Sequence, residues 1–464
     1  EISCSLVGSE MCIRDRDITD ERYHHEIYLS NPRKCDNNKL KTVAQVVDSP
    51  VDYSHNSRIC FEKANDYWIS DSYGKRYIDF NNGKGSITLG HNFSAINNAI
   101  IDFLSSGKNI ITGPNGLLLE LSNKLIEAVT DSNDYKIAFF STGTEACKST
   151  AYAFRKYNNK KFILSSGYHG WDLMWETSEH FLKPNCSNVL DFYFIPSLLE
   201  DLLYKYRKDV SYVIISPDYI HLKKSTLMEI IDICNNYDIP ICIDDVKQGF
   251  RYGPSSSIKE YTNQSMDMYV FSKGLSNGHR ISCVVGKEEY MENFEDYTYT
   301  TYYDSIPFIA SYETLNYMIV NDCYKVTRSI CEHIVLCINN LFLEFGLPIK
   351  ALSFGSMFQF VFYNQAMKQE FYQKSLEEGL VFYYDDNQSI SYVFKNVPLE
   401  WITEKIEKVC TFLVKNFKNT LHCEIPTIEI FKSAFNMIDG AADCISDECR
   451  RIELTKEVLK IINE

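Results

Sequence analysis

Five short apolar runs, each separated from the next by an amphipathic or loop-like stretch, constrain this chain more than any other feature. KIAFFS (136–141), KFILSS (161–166), VSYVIIS (210–216), IPICID (239–244) and MYVFS (268–272) read as buried strands. Between them, Glu145–Asn158 and Ser225–Tyr237 read as helices, and in the second Leu227, Ile230, Ile231 and Cys234 recur at helical spacing. Strands alternating with helices predict an α/β fold whose mostly parallel central sheet is covered on both faces. Ligands of such sheets sit beyond the carboxyl ends of the strands. The residues that directly follow each run are therefore the first place to look for chemistry.

The flanks read differently. YWISDSYGKRYIDF (67–80) has the pattern of a hairpin, with its turn at Ser72–Gly74. Beyond about residue 315, long helical stretches (Tyr312–Phe345 and Pro398–Lys418) flank two strand-like pieces, MFQFVFY (357–363) and ISYVF (390–394). This predicts a smaller α+β domain. The expected division is an N-terminal segment at 17–94, a large ligand-binding domain at 95–315, a small domain at 316–419 and an extension at 420–464 to which no chemistry is assigned. Residues 1–16 stand apart. The string SLVGSEMCIRDR (5–16) reads as translated sequencing-adapter sequence, lacks the apolar stretch of a signal peptide, and is set aside as non-native.

Charge and cysteine usage narrow the function. The formal net charge is −15, which argues against a nucleic-acid partner because phosphate backbones demand a basic face. Hydrophobic residues make up 45% of the 464, enough for a large core without staples. The sixteen cysteines form no C-x-x-C pair and no zinc-binding spacing, so reduced thiols in a cytoplasmic protein and no metal are expected. No run reaches the 18 or so apolar residues of a membrane span, so no membrane association is expected.

Four of the expected strands end in residues that could serve chemistry. Lys273 follows MYVF-Ser; a lysine at a strand end between apolar walls can lose its proton readily and act as a nucleophile, although most such lysines are solvated turns. Asp244 closes PICID; a carboxylate there needs a cationic or hydrogen-bonding partner, and capping the following turn is an equally ordinary reason for it. Ser141-Thr142-Gly143-Thr144-Glu145-Ala146 follows KIAFF and opens a helix, so backbone amides would converge as they do around a phosphate, or Thr142 or Thr144 would simply cap the helix. Tyr168, after KFILSS and a glycine, could lie flat on a planar ligand. Its neighbour His169 suits acid–base work, and structural tyrosines far outnumber functional ones among the 32 present. A lysine, an acid, a phosphate cradle and a packing aromatic are what a protein must supply to pyridoxal 5'-phosphate (PLP).

In order and spacing these segments resemble the class III, PLP-dependent aminotransferases, closest to the glutamate-1-semialdehyde 2,1-aminomutase branch. The resemblance is carried by DSYGKRYID (71–79), LGH (89–91), STGTEA (141–146), YHG (168–170), DDVKQGFR (244–251), SKGLSNG (272–278) and GSMF (355–358), and spans roughly residues 45–415. It implies a fold-type-I homodimer, with an amino donor and a carbonyl acceptor as its small-molecule partners. By the same resemblance Lys273 carries PLP as a Schiff base and moves the proton. Asp244 pairs with the pyridine nitrogen, Val246 and Tyr168 pack on the two ring faces, and Gly143 and Thr144 bind the phosphate. Thr300, with Thr301 adjacent, reaches the phosphate in the neighbouring subunit.

Departures from the family pattern cluster on the substrate side. Asp245 and Lys247 stand where the family has Glu and Gln, and Ser216-Pro217 where it has Glu-Pro. Asp52 stands where the aminomutase branch has a substrate-binding arginine, leaving Arg58 as a possible replacement, and Lys84 where it has Trp. Tyr303-Asp304-Ser305 replaces the branch's Gly-Asn-Pro. These favour an aminotransferase, with keto or aldehyde sugars among the candidate acceptors, over a true aminomutase. A cofactor-free paralogue without catalysis is the alternative from another class.

Overall fold

All five apolar runs form strands of one sheet. In the computed structural model, which describes residues 51–52, 57–109, 113–176, 184–292, 294–297, 303–384 and 386–426, they are β1 (Tyr135–Phe140), β2 (Phe162–Ser166), β4 (Val210–Ile215), β5 (Ile241–Asp244) and β6 (Met268–Phe271). Two strands escape the sequence reading, β3 (Val189–Asp191) and β7 (Ser282–Lys287). The seven strands run in the order β1-β7-β6-β5-β4-β2-β3. All neighbours pair in parallel except β7, which is antiparallel to both β6 and β1. The sheet is thus mostly parallel, and β1, β2, β4, β5 and β6 all end at the same edge.

Burial on both faces explains why these strands are continuous apolar runs. Along β4, Tyr212 and Ile214 face one core, while Val213 and Ile215 face the other. Strand residues alternate sides because the side-chain period is two. One face is covered by helix α1 (Gly143–Asn158), whose Ala146, Cys147, Ala151 and Ala153 are small enough to let the helix lie close. Phe154 fills the remaining depth, stacking on Tyr212 with ring centroids 4.4 Å apart, while the Tyr212 hydroxyl bonds Thr150 Oγ1 at 3.0 Å. The other face takes α2 (Pro196–Tyr206) and α3 (Lys224–Asn236) through Leu198, Leu202, Leu227 and Ile231.

A second core lies around the antiparallel pair β8 (Ile349–Phe354) and β9 (Met357–Phe362), with β10 (Gln388–Ser389) along β9. Phe358, Phe360, Phe371 and Phe382 form its centre. The 67–80 hairpin is present: the Asp71 N–H donates to Lys75 O across the turn, and the Asp79 N–H donates to Tyr67 O. Two expectations are corrected here. The stretch 312–345 is not one helix but two, α4 (Ser305–Val320) and α5 (Cys323–Glu344), broken where Asp322 turns left-handed at φ 47°, a conformation Asp tolerates better than most residues. ISYVF is not a strand; the pairing residues are Gln388–Ser389. Tyr392 and Val393 instead donate to Thr88 O and Leu89 O, which draws the chain off the sheet into a turn at Tyr392–Asn396. Helix α6 (Leu399–Asn416) forms as read.

Among the described residues ten cysteines are free, whereas Cys60 is disulfide-bonded, a departure from the all-thiol expectation. No described helix is long and apolar enough to cross a membrane. The stacked pair under α1 gives a direct check of the packing. Phe154→Ala should cost about 3–5 kcal/mol, as for other fully buried aromatics cut to alanine, read as a lowered denaturation midpoint. An unchanged midpoint would contradict the described core.

Candidate active site

At the shared carboxyl edge of the sheet lies a cavity of about 700 Å³. Its lining includes Ser141–Thr144 after β1, Tyr168–Gly170 after β2, Ser216–Asp218 after β4, Asp244 and Val246–Lys247 at β5, and Ser272–Lys273 after β6. Lys273, Asp244, Gly143, Thr144, Tyr168, His169 and Val246 are therefore all here, while Thr300 and Thr301 fall outside the described residues.

Asp244 is 1% exposed at the end of a strand in which all four residues are buried. Its Oδ2 accepts a hydrogen bond from His169 Nδ1 at 2.8 Å, and its Oδ1 accepts from the Val246 N–H at 3.1 Å. The Cys147 sulfur lies within 4.8 Å of a His169 ring nitrogen and an Asp244 oxygen. Burial, and then the Asp244 charge, push that thiol well up from its ordinary value, so it stays a thiol. Asp245, one residue on, serves a different purpose. It is fully buried and accepts from Ser256 Oγ at 2.5 Å, the Ser257 N–H at 2.7 Å and the Ser257 hydroxyl. Desolvation raises it to about 6 against the pull of those donors. It ties down the loop and does not line the cavity.

The cradle is built by local sequence. Thr142 caps α1 by accepting from the Glu145 N–H, while its own N–H donates to Glu145 Oε2 at 2.9 Å. That closed box leaves the N–H groups of Gly143 and Thr144 without an acceptor among the described residues. A Cβ at Gly143 would come within 2.9 Å of both Val246 methyls, so only glycine lets Val246 pack there. Gly170, at φ 103°, gives room for Thr144 in the same way.

Lys273 follows β6 with φ 36°, in the left-handed region that non-glycine residues rarely occupy. Such strain concentrates at functional sites. Burial, reinforced by Lys247 and opposed by Asp386, lowers its ammonium to about 8. The lysine is thus ready to lose its proton near neutral pH.

The far wall contains what the sequence reading missed. Lys247 Nζ contacts Asp386 Oδ1 at 2.7 Å and Asp218 Oδ2 at 3.7 Å. Asp218, His221, Tyr383, Asp386 and Lys84 all line the cavity. Lys247 and Lys84 were visible as departures from a pattern. Asp218, His221 and Asp386 carry no local signal, because the fold brings them together from positions up to 168 residues apart. Arg251 fixes this wall, donating to Lys247 O at 2.6 Å, Ser389 Oγ at 3.3 Å and Gly85 O.

The family model for aminotransferase class-III matches residues 50–415. A 2'-deamino-2'-hydroxyneamine transaminase of Streptomyces kanamyceticus is 28% identical over 298 residues, covering 63% of this chain and 75% of that protein. A glutamate-1-semialdehyde 2,1-aminomutase of Nitrosopumilus maritimus is 27% identical over 361 residues, covering 70% and 82%. Among solved structures, a transaminase with PLP bound superimposes with a TM-score of 0.73 at 18% identity, covering 82% of this chain and 97% of that one. The FumI protein of a Sphingopyxis species, solved in its PLP form, gives 0.72 at 20% identity, covering 85% and 98%. The fold is accordingly that of the PLP transaminases.

The site makes a pH-dependent prediction. Because Lys273 is held at about 8, its neutral, nucleophilic form should appear over that range in the cofactor-free protein. Labelling of Lys273 by an amine-directed aldehyde, located by peptide mass, should rise with a midpoint near pH 8. Lys247→Gln should move the midpoint upward. A midpoint at the ordinary lysine value, about 10.4, would contradict the described burial.

Proposed function

Because the chain belongs to the class-III aminotransferases, PLP enzymes that move an amino group from an amino donor to a carbonyl acceptor, we propose that Lys273 is the residue to which its cofactor is joined. The observation that carries this is the placement of a strained, readily deprotonated lysine in one cavity with a buried carboxylate and a capped helix end. The residues fit PLP on the chain's own terms. Two backbone N–H groups at the positive end of α1 lack acceptors among the described residues, which suits a phosphate. Asp244 is held by two donors and can accept from a third, the ring nitrogen.

Bound there, PLP supplies an electron sink for the bond that breaks at the amino-bearing carbon. Every other role falls to the protein. Lys273 Nζ would hold the cofactor and, once free of it, would be the group placed to take up and return a proton. Asp244 keeps a proton on the ring nitrogen, and His169 holds the carboxylate in place. Gly143 and Thr144 anchor the phosphate. Val246, packed on Gly143, and half-exposed Tyr168 flank the ring faces. A homodimer in which Thr300 or Thr301 reaches the partner's phosphate, and a cytoplasmic location, belong to the same proposal, supported by the resemblance and by the ten free cysteines among the described residues.

The roles of the adjacent carboxylates are separable. Asp244→Asn should retain the fold and slow amino transfer at least about 100-fold, the loss typical of removing one charge aimed at a developing one. Asp245→Asn should slow it far less and act on stability instead. Equal kinetic losses would remove the assignment.

An intramolecular aminomutase is disfavoured by Asp52, a carboxylate where that branch holds a substrate carboxylate with arginine. In that branch's arrangement, one unit charge about 4 Å from the substrate is worth about 4 kcal/mol at an effective dielectric near 20, and exchanging Arg for Asp would reverse its sign. The gene should therefore fail to restore growth to a strain starved of 5-aminolevulinate. Robust growth would put the aminomutase reading first.

A further inference from the structure

The cavity wall that the cofactor roles leave over carries two carboxylates, Asp218 and Asp386, together with Lys84, Lys247 and Arg280. Lys247 is one ammonium between two carboxylates, Asp386 at 2.7 Å and Asp218 at 3.7 Å, so the trio keeps a net negative charge. Three of the four carboxylate oxygens are engaged within the chain. Asp218 Oδ1 accepts from the Ile220 N–H at 3.0 Å, and its Oδ2 from Asn387 Nδ2 at 2.8 Å. Asp386 Oδ1 accepts from Lys247 and from the Asn387 N–H at 2.6 Å. No donor among the described residues reaches Asp386 Oδ2, on a side chain that lines the cavity and is 32% exposed. Burial alone would raise the Asp386 carboxyl, but Lys247 beside it holds it below its ordinary value, so it remains an ion.

A second observation bears on the same cavity. Tyr193 and Phe194, which both line it, occupy consecutive left-handed conformations at φ 51° and 53°. The strain is held by the Tyr193 N–H donating to Asp191 Oδ1 at 2.6 Å and the Phe194 N–H donating to Ser166 Oγ at 3.0 Å. Two non-glycine residues kept in that region point to a constraint imposed by the site. With Tyr383 they give the cavity aromatic surface, onto which the C–H face of a saturated ring can pack.

Resting on the aminotransferase reading above, we infer that Asp386 and Asp218, braced by Lys247, select an acceptor whose distal part carries hydroxyl or ammonium groups, an aminopolyol class, and disfavour one with a distal carboxylate. A hydroxyl or ammonium donates to the open Asp386 oxygen, whereas a carboxylate has no proton to offer and meets a like charge. Lys84 also lines the cavity, with its Nζ 5.8 Å from the Tyr383 ring centroid, and Arg280 is exposed where it lines the same cavity. A distal carboxylate could turn to either of these, so the test must include one.

The reverse half-reaction reads this directly. The PLP-loaded protein is mixed with glucamine, a primary amine bearing a polyhydroxyl chain, and separately with L-glutamate or L-alanine, and conversion to the pyridoxamine form is followed by absorbance. Glucamine should convert it. In Asp386→Asn, and independently in Asp218→Asn, kcat/KM for glucamine relative to that for L-glutamate should fall at least tenfold. Conversion by L-glutamate but not by glucamine would overturn the inference and leave the aminotransferase reading standing, as would a ratio unchanged in both variants. If none of the three amines converts the protein, both readings fall together.

Discussion

A carboxylate buried at the end of an apolar strand is the constraint around which this site is arranged. An ionised group taken out of water at 1% exposure needs partners, and Asp244 finds them in the His169 ring at 2.8 Å and the Val246 N–H at 3.1 Å. Those partners fix much else. His169 is held in a segment whose next residue, Gly170, makes room for Thr144, and Val246 packs on Gly143, so the acid and the anion cradle are set by one chain of contacts. The small residues along α1 bring Cys147 beneath the same carboxylate. The His169 Nε2 atom is buried without a hydrogen-bond partner among the described residues, so this histidine is oriented by its bond to Asp244 and by the Trp175 ring, whose centroid lies 5.0 Å from its own.

The lysine is governed by the opposite preference. Asp244 sits between two hydrogen-bond donors, while Lys273 is placed where burial and a neighbouring lysine discourage its charge. A readily deprotonated lysine in one cavity with a hydrogen-bonded carboxylate is an arrangement that suits acid–base work. Lys247 links the two halves of the site: it lowers Lys273 from one side and is itself held by the two carboxylates of the far wall.

How far the sequence foretold this depends on whether the signal was local. Strands buried on both faces announce themselves as apolar runs, and β1, β2, β4, β5 and β6 were legible to within a residue or two. The antiparallel β7 was not read, although Asn277-Gly278 marks a turn ahead of it, because SCVVGK is short and broken by Gly286. ISYVF has good strand composition, yet its backbone donors are claimed by Thr88 and Leu89, a long-range competition that composition does not record. The choice of Asp244 over Asp245 was legible through resemblance alone; the structure adds the reason, since Asp245 is consumed by Ser256 and Ser257. The wall around Lys247 was the least legible part. Asp218 and Asp386 are ordinary loop residues until the fold sets them on either side of Lys247.

The central claim is that one ring is held between Lys273 and Asp244. Borohydride reduction of the PLP-loaded protein followed by crystallography tests it most directly. The account predicts continuous density from Lys273 Nζ to the cofactor, with the ring nitrogen within about 3 Å of an Asp244 oxygen. Cofactor joined to another lysine, or a ring nitrogen facing some other group, would contradict it.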